Sequence, residues 1–183
     1  MRIIAGKYGG RSLIAPDSAG TRPVTEMVRN AICNALAASE VLEDAAVLDL
    51  FAGSGGLGLE ALSRDAARAV FVDAASAAVV AIRHNVQTLG LDAQTQILKQ
   101  TVESYLDGIA AAGTEGGFDI VFFDPPYDEF SLDLAARAAQ LVSADGVLVI
   151  SASKKSAIPA IISPLSQAQA KVYGDTQIAY FVR

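Results

Sequence analysis

Four short runs of this 183-residue chain, VLDLF, VFVD, IVFF and VLVI (residues 47–51, 70–73, 120–123 and 147–150), are almost continuously apolar. A strand with one wet face alternates apolar and polar residues; a strand covered on both faces does not. Between these runs stand segments with helical spacing: LGLEALSR, SAAVVAIRHNVQTLG, VESYLDGIAAAG and SLDLAARAAQLV. A further strand, AQTQILKQ, falls between the second and third of them. Strand and helix in alternation imply a largely parallel sheet with helices on both faces. The length suits one such domain, and 52% apolar residues supply its core.

The flanks add to this plan. RIIAGKYGGRSLIAP reads as two short strands about a glycine-rich turn. Thr25 can cap a helix through EMVRNAICNALAAS, with Val28, Ile32 and Leu36 at helical spacing. Near the end, Gly174-Asp175 sits between two β-rich runs, a tight hairpin signal. That hairpin would add antiparallel edge strands. The expected class is α/β, a Rossmann-like mixed sheet of seven strands with an N-terminal β-hairpin extension. Residues 1–40 would form the extension and 41–183 the main domain.

No apolar run is long enough to span a bilayer, and MRIIAGKYGG lacks a signal-peptide core. A single cysteine, Cys33, forms no internal disulfide and suits a reducing cytoplasm. One histidine and one cysteine make no His/Cys metal cluster, and no metal is expected. Net charge is −6, which alone speaks against a polyanionic partner. Yet residues 1–34 carry +3, leaving −9 on the rest. A basic head on an acidic body is either a solvated face or a nucleic-acid contact.

The first strand runs into DLFAGSGGLGLEAL, where Gly53, Gly55 and Gly58 spell G-x-G-x-x-G at a strand-to-helix junction. Glycine there permits a tight turn and close approach of backbone to a ligand. Asp73 follows Gly53 by 20 residues at the next strand end. A carboxylate at that offset can bond a ribose hydroxyl. The plain alternative is a packing turn with an ordinary loop acid. Asp49 suits a cation better than a pyrophosphate, which favours S-adenosylmethionine over a dinucleotide.

The fourth strand ends in Asp124-Pro125-Pro126-Tyr127. If the strand order begins 3-2-1-4-5, strands 1 and 4 flank the point of reversal where such sheets bind ligands. Asp124 and the Pro125 carbonyl could accept from an exocyclic amine, and Tyr127 could stack on its base. The prolines would preorganise that clamp. The plain alternative is a strand stopped by Pro-Pro.

These motifs, with RIIAGKYGGRSL, TRPVTEMVRNAICN and YGDTQIAY, resemble the RsmD family over nearly the whole chain. Those are bacterial S-adenosylmethionine-dependent methyltransferases acting on guanine N2 in small-subunit (16S) ribosomal RNA. The resemblance implies cofactor contacts from Asp49, Phe51, Ala52, Gly53, Ser54, Gly55 and Gly58, then Asp73, Ala74, Thr101 and Val102. It implies a catalytic Asp124 to Tyr127, and an RNA side of Lys7, Arg11, Arg22, Thr25 and Arg29. The partner would be 16S rRNA, within a small-subunit assembly particle, and the enzyme a cytoplasmic monomer. Thr101 stands where relatives often carry Asp or Asn, and Ser153-Lys154 where an acid is common. Rival readings are a DNA adenine-N6 or protein glutamine methyltransferase, and a non-catalytic RNA-binding module. His84 reads as a surface or capping residue, Cys33 as core and Lys154-Lys155 as solvated or phosphate-facing.

Overall fold

A computed structural model describes residues 1–16, 25–112 and 117–183. Among these residues, eight strands form one sheet: β1 (Ala46–Leu50), β2 (Arg68–Asp73), β3 (Thr95–Lys99), β4 (Phe118–Phe123), β5 (Val142–Ser153), β6 (Ile161–Ile162), β7 (Leu165–Tyr173) and β8 (Thr176–Val182). Their order is β3-β2-β1-β4-β5-β8-β7-β6. The first five are parallel to one another. The last three attach antiparallel. The expected seven strands become eight because Ile161 and Ile162 pair with Ser166 and Leu165. Two residues are too few to leave a period in the sequence.

Among the described residues, five α-helices cover the sheet: α1 (Glu26–Ala38), α2 (Gly56–Ser63), α3 (Ser76–Leu89), α4 (Val102–Ala111) and α5 (Leu132–Ala139). Alternate strand residues point to opposite faces. Val47, Ile120 and Phe122 join α1, α2 and α3 in one core. Leu48, Leu50, Val121 and Phe123 join α4 and α5 in the other. That is why the strand texts show no polar alternation. Helix α1 starts where its sequence asks, with Thr25 Oγ1 accepting from Val28 N–H. Helix α3 ends on Gly90 at φ 69°. Helix α5 stops at Ala139, earlier than expected, and β5 begins at Val142. Val142 is fully buried and pairs with Phe118 across an irregular register, so the sheet claims it.

The expected N-terminal hairpin is present in short form: Arg2 bridges Ser12 antiparallel, Ile3 N–H donates to the Arg11 carbonyl, Gly10 N–H to the Ile3 carbonyl and Leu13 N–H to the Met1 carbonyl. Other backbone groups of the hairpin reach α2: Ile4 and Ala5 N–H donate to the Glu60 carboxylate, and Tyr8 N–H to Ser63 Oγ. The segment therefore lies on α2. Its Ile3 and Leu13 are buried in the same core as α1–α3. Among the described residues, no helix is long and apolar enough to cross a membrane.

Candidate active site

Strand β1 gives way to a loop that uses left-handed backbone at Phe51 (φ 60°), Gly53 (58°) and Gly55 (76°). Asp73 holds this loop: Gly53 N–H donates to Oδ2 and Ala75 N–H to Oδ1, each at 2.8 Å. Gly58 has a different task. A Cβ there would lie 2.4 Å from Phe71 Cε1, so its absence lets α2 pack on β2. Gly58 N–H also donates to Asp49 Oδ2 at 2.9 Å.

Leu50 pairs with Phe123, so β1 and β4 end side by side. Their loops open into one cavity of about 810 Å³. Asp49, Phe51, Ala52, Gly53, Ser54, Asp73, Ala74, Thr101 and Val102 line it, and so do Asp124, Pro125, Pro126 and Tyr127. Gly55 and Gly58, expected at the cofactor, stand behind this wall and shape it. Thr101 Oγ1 caps α4, accepting from Ser104 N–H at 3.1 Å. The Tyr127 hydroxyl is hydrogen-bonded to that of Thr176, on the β7–β8 hairpin.

The cavity is acidic. Asp49 is almost fully buried, and burial drives its carboxyl well above the usual range, with Asp124 and Asp73 adding to the rise. Its Gly58 bond opposes this. Burial pushes Asp124 up to about 6, opposed by the neighbouring Ser151 hydroxyl. Ser151 Oγ is itself buried without a full hydrogen bond. Among the described residues, no group of three or more His, Cys, Asp or Glu could hold a metal.

The basic residues divide. Lys7 and Arg11 are exposed; Lys7 Nζ pairs with Asp65 at 2.7 Å, and Arg11 donates to the Thr88 carbonyl. Arg22 lies outside the described residues. Thr25 is exposed, caps α1 and borders the cavity. Arg29 requires a correction: it is 1% exposed and cannot present a charge to a surface-bound RNA. It sits between α1 and α2, with Nε 3.7 Å from Glu60. In a head read as a basic patch, burial of one cation was invisible. Its partner could have been suspected, since Glu60 is the lone charge within GLGLEALS.

Other residues escaped the sequence reading. Asn85 is 1% exposed and bonds both Ile14 and the Ser54 carbonyl, tying the head to the glycine loop. Ser151, which belongs to no motif, lines the cavity, and so does the turn at 173–176, whose hairpin the sequence showed but whose place at the cavity it did not. His84 is exposed. Cys33 is buried, and burial lifts its thiol to about 12, leaving it unreactive. Lys154 pairs with Asp175 at 2.8 Å.

A parallel sheet that reverses between β1 and β4, with an acid-lined cavity at the reversal, defines the Rossmann-like S-adenosylmethionine-dependent methyltransferase fold. The magnesium protoporphyrin IX methyltransferase of Synechocystis, solved with bound SAM, shares it at TM-score 0.66 and 18% identity, covering 86% of this chain and 78% of that one; that likeness concerns the fold alone. The family model described as "Conserved hypothetical protein 95" matches residues 1–182. Ribosomal RNA small subunit methyltransferase D of Escherichia coli K12 is 35% identical over 183 residues, 98% of this chain and 87% of that protein. A solved hypothetical protein of Thermus thermophilus superposes at TM-score 0.83 with 31% identity, covering 100% of this chain and 99% of that one. The chain belongs to this family, the RsmD family.

Proposed function

We propose that the protein methylates the N2 amine of a guanine in small-subunit ribosomal RNA, using S-adenosylmethionine. The observation that carries this reading is the single cavity joining Asp49, Gly53 and Asp73 to Asp124-Pro-Pro-Tyr127. The family's ribosomal RNA methyltransferases support the substrate class.

The residues fit the cofactor. Asp49 is a buried carboxylate with one backbone donor and, among the described residues, no cation of its own. It suits the ammonium of the methionine moiety. Asp73, at the end of β2, suits the ribose hydroxyls. No basic side chain projects from the glycine loop, as a pyrophosphate would ask. Bound there, S-adenosylmethionine supplies an electrophilic methyl group carried on a sulfonium.

The chain does the rest. Asp124 and the Pro125 carbonyl accept from the amine and fix its orientation. Pro125 and Pro126 restrict the backbone of that clamp. Tyr127 is 40% exposed at the mouth, so a flipped base can stack on it. Positioning of this kind is worth roughly 7–11 kcal/mol of a barrier. The amine gains a methyl and must release one proton. Asp124, near 6, holds a proton more readily than an ordinary aspartate and is placed to accept it.

The test is to offer labelled cofactor to unmodified small subunits, naked ribosomal RNA, DNA and a release factor. Label should appear as N2-methylguanosine in the ribosomal RNA. Label confined to DNA or protein would overturn the reading.

A further inference from the structure

Arg29 leaves an electrostatic question that its removal from the RNA surface does not answer. It is 1% exposed, yet it lines the cavity. Its Nη2 donates to the Arg2 carbonyl. Its Nε, buried 3.7 Å from Glu60, makes no hydrogen bond. Its Nη1 makes none among the described residues and would lie 3.3 Å from a Cβ on Gly56, in the first turn of α2. Glu60 is fully buried and already shared: Arg64 bonds Oε1 at 3.0 Å, and Ile4 and Ala5 N–H use both oxygens. The remaining partners of Arg64 are the neutral amides of Asn30 and Asn34. Glu26, the other nearby acid, is paired with Arg2 outside. Among the described residues, one buried carboxylate thus faces two guanidinium groups, and one positive charge is left over beside the cavity.

The other side of the same turn holds the opposite imbalance. Asp49 is buried and, among the described residues, takes only Gly58 N–H and has no cation. Gly56 and Gly58 are two residues apart on α2. Gly55 caps that helix without a side-chain bond. A buried guanidinium and a buried carboxyl that a cation would ionise, set against one helical turn, form a template for a zwitterion. We propose that Arg29 binds the carboxylate of the methionine moiety of S-adenosylmethionine, opposite the ammonium held by Asp49. This deepens the cofactor reading above and rests on it. The missing Cβ at Gly56 then leaves room for the guanidinium and the carboxylate to meet. Arg29 serves as a ligand-binding residue as well as a pin for the N-terminal segment, so head and cofactor share one side chain.

The test compares S-adenosylmethionine with its decarboxylated analogue by calorimetry. The wild-type protein should bind the analogue about ten- to a hundredfold more weakly, the range for one charge-assisted hydrogen-bonded pair. In Arg29→Met, affinity for S-adenosylmethionine should drop by a similar factor. The analogue should be bound as before, so the preference collapses. Arg29→Lys should retain part of it. A residue that only pins the head would lower affinity for both molecules alike. If Arg29→Met does not fold, the Arg29 Nε–H resonance of the wild-type protein decides: it should shift with S-adenosylmethionine and not with the analogue. Equal affinity of the wild-type protein for both, or an undiminished preference in Arg29→Met, overturns the assignment. Binding of neither molecule would instead sink the cofactor reading itself.

Discussion

Replacing Asp124 with Asn should stop methyl transfer and make the protein more stable. The carboxyl is raised from 3.8 to about 6 by burial, so the fold prefers it neutral. The sign follows from that direction. Stability associated with the neutral acid is fully present below the unfolded value and is lost as pH rises through about 6. Above that, ionised Asp124 costs the fold up to about 3 kcal/mol, since raising a pKa by one costs about 1.36 kcal/mol. Near pH 5 about half of that cost has developed. Asparagine keeps the shape and carries no charge to desolvate. Urea unfolding at about pH 5 and pH 8 measures both proteins. The Asn variant should gain on the wild-type protein at both, with the gap wider by about 1.4 kcal/mol at the higher pH. Turnover should fall by two or more orders of magnitude, since the proton acceptor and one amine acceptor are altered. A variant less stable than wild type at pH 8, or a gap independent of pH, would refute the burial argument.

Ser151→Ala removes the hydroxyl that opposes the rise at Asp124; the acidic limb of the pH–rate profile should move above its wild-type midpoint, and a limb that stays put refutes this. Gly58→Ala drives a Cβ to 2.4 Å from Phe71 and should cost about 1–3 kcal/mol in urea unfolding. Glu60→Gln leaves Arg29 buried beside a neutral partner. It should cost about 3–5 kcal/mol, and amide exchange at Ile4 and Ala5 should quicken; unchanged protection would mean that Glu60 does not hold the head. Charge reversal of exposed Lys7 and Arg11 should weaken RNA binding and flatten its salt dependence by roughly 0.7–0.9 for each phosphate no longer neutralised. A filter-binding salt titration reads it directly.

Elements with strong local signals were legible in the chain. The apolar strand texts and intervening helical spacing required a doubly covered sheet, because both faces of β1 and β4 are buried. Thr25 and Gly90 fixed helix ends through chemistry local to a single turn. Gly174-Asp175 fixed the β7–β8 turn in the same way. The fate of residues whose neighbours are distant in sequence was not legible. Arg29 and Glu60 are 31 positions apart, and only α1 packing on α2 turns an expected surface cation into a buried one. The N-terminal hairpin was legible from its glycine-rich turn, but not that its remaining N–H groups would anchor on Glu60 and Ser63, more than fifty positions away.

By itself, the sequence determined the main strands and helices, and that a glycine loop and an Asp-Pro-Pro-Tyr run end two of them. Only the tertiary structure decided that those ends share one cavity, and which charges inside it lack a partner. Periodicity and turn chemistry act over a few residues, whereas burial and charge balance depend on which distant elements come to lie together.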